Sequence, residues 1–141
     1  MLAHKIKGNA MIDHLDHLVL TTAKEIECID FYTRVLGMQL ESFIGGSPPV
    51  ERKAFKFGNQ KINLHIKGKE FEPKAKIPTP GALDLCFIAD TPLIEVISKL
   101  EKEAWPIEEG PVVRTGATAK INSVYIRDPD QNLIEISEIL S

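Results

Sequence analysis

Two imidazoles and two carboxylates define the chemistry this chain can do: His17, His65, Asp84 and Glu135. Each lies in a stretch that alternates apolar and polar residues as a β-strand does. In "QKINLHIKGKE", Ile62, Leu64 and Ile66 take one strand face, so His65 points to the other with Lys61 and Asn63. Asp84 shares a face with Cys86 and Ile88, opposite Leu83, Leu85 and Phe87. Glu135 shares one with Leu133 and Ser137, opposite Ile134 and Ile136. A single strand histidine is by itself well explained as polar surface. A carboxylate that interrupts a sheet face is costly unless it is solvated, paired or bound to metal. Together, two imidazoles and two carboxylates suit a divalent ion of intermediate softness, Mn, Fe, Co, Ni or Zn, with positions left open for water or substrate. Such an ion binds two neighbouring substrate oxygens and stabilises the negative charge that develops on them. A carboxylate able to leave the ion on protonation, Glu135 foremost, is then the candidate base for moving a proton beside a chelated carbonyl.

The elements that must position these groups come in two similar series. From His17, "HLVLTT" reads as a strand. "AKEIECIDFYTRVLGM" follows as a helix whose Ile26, Ile29 and Tyr32 share a face continued by Val35 and Leu36, with Gly37 placed to end it in a left-handed conformation. "MQLESFI" is a strand, "GGSPPVE" a loop, and "RKAFKFGNQKINLHIKG" a hairpin turning at Gly58 and Asn59. The proline-rich "KEFEPKAKIPTPG" is a connector. Beyond it, "ALDLCFIAD" is a strand and "TPLIEVISKLEKEAWP" a helix, with Thr91 as N-cap, Pro92 at the first helical position, and an apolar stripe of Leu93, Ile97, Leu100 and Ala104. "PIEEGPV" reads as short and extended and "VRTGATAKI" as a polar loop. "NSVYIRDPDQNLIEISEIL" is a hairpin around residues 128–131.

The order is therefore βαβββ twice. Laid on each other at an offset of 67 residues near their starts and 70 near their ends, the halves place Asp84 on His17 and Glu135 on His65. If the copies pair about a pseudo-twofold axis, all four groups converge on one cleft. His14, three residues before His17, falls on the opposite strand face and is a poor ligand.

Composition narrows the partners. At 141 residues the chain reads as one domain, with 43% hydrophobic and 26% charged residues. A net charge of -3, with both signs interspersed, argues against nucleic acid as partner. Cys28 and Cys86, without Cys-x-x-Cys spacing, read as buried thiols in a reducing compartment. No apolar run approaches the ~20 residues of a membrane span, so the expected location is cytoplasmic. Residues 1–10 read as a loose arm or an extension ahead of a second start at Met11.

Particular stretches are also familiar. "DHLVLTTAKEIECIDFYTRVLGM", a strand opened by histidine and a helix ending in "DFYTRVLGM", resembles the vicinal oxygen chelate superfamily of glyoxalase I, extradiol dioxygenases, fosfomycin and bleomycin resistance proteins, and methylmalonyl-CoA epimerase. "RDPDQNLIEI" is similar to that superfamily's closing hairpin. "INLH" and "EGPV" followed by "RTGA" resemble small glyoxalase-domain-containing, lactoylglutathione lyase-like proteins, some of them virulence-associated. The resemblance covers roughly residues 12–140 and implies an α+β fold. In it, βαβββ modules 12–67 and 80–140, related by pseudo-twofold symmetry, form a cup-shaped mixed sheet around a metal cleft.

It places the family's first ligand on His17 and its last on Glu135. The ligand opening the second module, usually histidine, falls on Asp84, and a ligand that is glutamate in glyoxalase I falls on His65. The implied activity is that of a divalent-metal-dependent lyase or isomerase acting on a small α-oxygenated substrate, for instance a glutathione or other thiol conjugate of methylglyoxal. Two alternatives stand beside it: an Fe(II) dioxygenase using His17, His65 and Glu135, and a non-catalytic module that sequesters a ligand as bleomycin-resistance proteins do. Arg114 and Tyr125 are the candidate substrate-binding residues, the first as a grip on an anionic group and the second as a hydrogen-bond donor. Open cup-shaped sheets leave edges for a partner, so a homodimer is expected.

Overall fold

The computed structural model describes residues 11–141; the expected arm at residues 1–10 lies outside them. The element order is the predicted double βαβββ. Module 1 comprises β1 (His17–Thr22), α1 (Glu25–Asp30) with a π-helical continuation (Phe31–Val35), β2 (Gln39–Gly45), β3 (Val50–Phe57) and β4 (Gln60–Ile66). Module 2 comprises β5 (Asp84–Ile88), α2 (Leu93–Lys102), β6 (Glu109–Thr115), β7 (Lys120–Arg127) and β8 (Leu133–Ile139). Each module folds into its own four-stranded sheet, ordered β1-β4-β3-β2 and β5-β8-β7-β6. The pairs β1/β4 and β5/β8 are parallel and the others antiparallel. The helix supplies the crossover that lets the first strand of each module lie parallel to the last.

Both sheets turn their apolar face inward. Leu20, Phe55 and Ile62 from module 1 and Val124, Ile126 and Ile134 from module 2 join Phe31, Tyr32, Leu93 and Leu100 of the helices in one core. Phe31 meets Trp105 at 4.8 Å between ring centroids, and Phe57 meets Phe87 at 5.4 Å. Polar ties cross the same boundary. The Tyr32 hydroxyl donates to Asp128 at 2.6 Å, and the Ala23 amide donates to Asp130 at 3.0 Å.

Three local expectations change. The first helix buries Cys28, Phe31, Tyr32 and Val35, while Ile26 is 81% exposed. The π segment is the cause: the Leu36 amide donates to the Phe31 carbonyl five residues back, which turns consecutive aromatics toward the core. Gly37 does close it at φ +78°. The second helix begins at Leu93 without a Thr91 cap, because the Leu93 amide donates to the Glu138 carboxylate of β8 at 2.9 Å. Ala104 lies past the helix end. Finally, "VRT" continues β6 instead of opening a loop, and of the two cysteines only Cys28 is buried.

Candidate functional site

The strand register sorts the side chains into two outward faces. On module 1, β1 pairs Val19 with Asn63 and Thr21 with His65, so His17, Val19, Thr21, Lys61, Asn63 and His65 share the face opposite Leu20 and Ile62. Ala54 of β3 lies across from Asn63, and Arg52, two residues before it, joins the same face. On module 2, β5 pairs Cys86 with Glu135, and β7 pairs Tyr125 with Glu135 and Ser123 with Ser137. All four expected ligands and both expected substrate-binding residues therefore point away from the core, onto these two faces.

The same register corrects the internal alignment. With His17 laid on Asp84, Val19 falls on Cys86, so the residue equivalent to Glu135 is Asn63, and His65 is equivalent to Ser137. The offset of 70 near the ends falls short of this pairing, because the second hairpin closes at Arg127 and Leu133 with a longer turn than the first, which closes at Phe57 and Gln60. His65 stays on the ligand-bearing face but one pair further along it.

Glu135 is the best-positioned acid. Its Oε2 accepts a hydrogen bond from Ser123 Oγ at 2.6 Å, and Ser137 Oγ lies at 3.5 Å and 2.7 Å from Glu135 and Ser123 respectively. Cys86 Sγ contacts Ser137 Oγ at 3.3 Å, and although the residue as a whole is exposed, partial desolvation of its thiol pushes the pKa up. Arg114 donates through Nε to the Tyr125 hydroxyl at 3.0 Å and through Nη2 to Glu109 at 2.8 Å. The Tyr125 bond, followed by that carboxylate, raises the guanidinium pKa. Arg114, Tyr125, Cys86 and Glu135 line a cleft of about 450 Å³. Asp84 is exposed at the start of the edge strand β5.

On the facing module, His17 is exposed and its Nδ1 sits 2.8 Å from Asp16. His14 lies outside β1, beside Asp13. His65 is only 7% exposed, covered edge-on by Phe71 at 5.5 Å. Burial, then the Arg52 charge, lowers its pKa, and Glu70 opposes them. Among the described residues no three His, Cys, Asp or Glu side chains come together in one chain. The chemistry of the donor set fits a divalent ion, with His17 and His65 on one sheet and Asp84 and Glu135 on the other. A single chain keeps the two halves apart.

Sequence reasoning missed Ser123, Ser137, Asn63 and Arg52. The serines were detectable as polar interruptions on Glu135's face. Arg52, in the basic run "ERKAFKF", gives no signal that separates it from a solvated strand lysine.

The chain matches the pattern of the Glyoxalase/Bleomycin resistance protein/Dioxygenase superfamily over residues 14–136. It is 54% identical over 128 residues to virulence protein STM3117 of Salmonella typhimurium, covering 91% of this chain and 85% of that one. The crystal structure of STM3117 superposes with a TM-score of 0.86, covering 93% of this chain and 100% of that one. The chain is 53% identical over 123 residues to glyoxalase domain-containing protein RDO1 of Mycosarcoma maydis, covering 87% of this chain and 66% of that protein. A lactoylglutathione lyase from Agrobacterium tumefaciens, 23% identical, shares the fold at a TM-score of 0.67 over 90% of this chain and 94% of that one.

Proposed function

Because the chain belongs to the glyoxalase/bleomycin resistance protein/dioxygenase superfamily, we propose that it is a divalent-metal-dependent lyase or isomerase acting on a small α-oxygenated substrate, the hemithioacetal of methylglyoxal and a thiol being the first to try. The observation that carries this reading is Glu135: a carboxylate held through one oxygen by Ser123, on an open face beside Tyr125 and Arg114.

The active unit is a homodimer in which the module 2 face of one copy closes over the module 1 face of the other. Three features support it. The ligand set is split between two sheets, β1 and β5 are unpaired edges, and Val19, Ile88 and Ile139 leave apolar surface exposed on these very faces. His17, His65, Asp84 and Glu135 would hold the ion. When bound, it supplies Lewis-acid stabilisation of the charge that develops as a proton leaves the carbon beside two substrate oxygens.

The protein's own groups do the rest. Glu135, as a ligand that would leave the ion on protonation, takes that proton through Oε1 and returns it, while Ser123 fixes the carboxylate's direction through Oε2. Tyr125, oriented by Arg114, presents its hydroxyl to a substrate oxygen.

The test is turnover of hemithioacetals by protein reconstituted separately with Ni, Zn, Co, Mn and ferrous iron. Product with at least one metal, reduced about 10²–10⁴-fold in Glu135→Gln with metal content retained, is the expected result. Saturable binding without turnover under every metal, or oxygen uptake confined to the ferrous form, overturns it.

A further inference from the structure

The face of module 1 carries an arginine that the reaction above leaves unexplained. Arg52 lies partly buried on β3, with its guanidinium carbon 4.2 Å from the centroid of the Phe71 ring. Its Nε is sealed from solvent with no hydrogen-bond partner among the described residues, and so is Oδ1 of Asn63 on the neighbouring strand. A fold seldom leaves such groups buried and unpaired without a use for the arrangement.

The turn beside it is shaped around this side chain. Gly46 adopts φ +86°, and a β-carbon there would collide with Arg52 Nη2. The Phe71 ring packs against the guanidinium, and the glycine turn leaves room for its end. Among the described residues Arg52 forms no ion pair, whereas Arg34, Arg114 and Arg127 each have a carboxylate partner. His65 lies on the neighbouring strand, and Asn63, across from Ala54, carries a side-chain amide nitrogen that is a further donor.

We propose that the Arg52 guanidinium, with Asn63 beside it, binds a monoanionic carboxylate on the outward sheet face of module 1. A planar guanidinium with one face on an aromatic ring offers its edge, which matches a planar carboxylate better than a tetrahedral anion. Glu70, whose negative charge reaches His65, adds a repulsion that grows with the anion's charge and so selects against dianions. That the bound carboxylate is part of a substrate rests on the reaction proposed above; the site itself does not.

Sodium acetate titrated into the ¹⁵N-labelled full chain, followed at the Arg52 Nε–Hε and His65 ring resonances, tests the site. A saturable shift at both is expected. Arg52→Met weakens acetate binding about tenfold or more, the loss of a charge-assisted hydrogen bond. Arg52→Lys, which keeps the charge and loses the fork, falls between and serves if the methionine variant does not fold. Inorganic phosphate at pH 8, mostly dianionic, binds more weakly than acetate. Acetate that leaves Arg52 unshifted, acetate binding undiminished in both variants, or phosphate binding tighter than acetate each overturns the assignment. Glu135→Gln keeps the acetate shift whether or not it keeps turnover, so failure of the reaction and failure of this site read out separately.

Discussion

Tyr32→Phe removes one oxygen atom from the boundary between the modules, and the structure fixes what that should cost. Asp128 is 1% exposed and accepts four hydrogen bonds: from the Tyr32 hydroxyl at 2.6 Å, the Asn132 side-chain amide at 2.7 Å, and the Asn132 and Asp130 backbone amides, both at 2.9 Å. No cation among the described residues shares it. Phenylalanine keeps the ring, its stacking on Phe55 at 5.0 Å and its edge contact with Phe31 at 4.9 Å, so packing is nearly unchanged. The loss is one hydrogen bond to a buried charged acceptor, about 1.5–3 kcal/mol. At roughly 2–4 °C per kcal/mol for a domain of this size, Tm should fall by about 3–12 °C.

The pH dependence supplies a second, independent check. Burial and then the Asp128 charge hold the Tyr32 hydroxyl pKa far above its ordinary value of 10.0. Above pH ~10 the unfolded chain therefore releases a proton that the folded one retains. The unfolded state then binds fewer protons, and stability falls with rising pH by up to ~1.4 kcal/mol per unit. The variant lacks this contribution, so the gap between it and the parent narrows as pH rises through 10. Urea denaturation followed by fluorescence of the single Trp105, at pH 7.5 and from pH 10 to 11, measures both effects. A difference below about 0.5 kcal/mol at pH 7.5, or a gap that stays constant across the alkaline range, would refute the argument.

Other perturbations have equally direct readouts. Glu138→Ala removes the carboxylate that receives the first amide of α2 and should cost about 1 kcal/mol by denaturant titration, with the far-ultraviolet signal of the folded state retained. Under a thiol-alkylating reagent at neutral pH, peptide mapping should find Cys86 modified before Cys28, since burial raises the Cys28 thiol to about 12. Gly110→Ala places a β-carbon against the Ser123 carbonyl and Val124 Cα at φ +104°. It should destabilise by about 3 kcal/mol and loosen the β6/β7 pairing that carries Arg114, visible as faster amide exchange in both strands.

Much of the fold was legible because its signals are local. The alternation in "INLHI", the Gly58-Asn59 turn and the left-handed Gly37 each rest on a few adjacent residues, and all appear as read. The helix face around Ile26 differs from the local pattern because the π segment turns Phe31 inward, where it meets Trp105 across the modules, 74 positions away in the chain. The α2 cap was assigned to Thr91 for the same reason, since its real partner, Glu138, arrives from β8.

For the site, sequence alone determined which face three of the polar residues take. Strand parity is a property of the backbone, and it set His65, Asp84 and Glu135 on the face opposite their apolar neighbours, whereas Arg114, expected in a loop, takes its face only because β6 extends through it. Only the tertiary structure decided which of them are neighbours. Hydrogen-bond register across β1/β4 and β5/β8 set Asn63, not His65, opposite the role of Glu135. The packing of Phe71 on Arg52 made a surface-looking arginine into a partly buried cation with no ion-pair partner among the described residues. Register and packing depend on turn lengths and on contacts between distant segments, and neither is written in the alternation of a single strand.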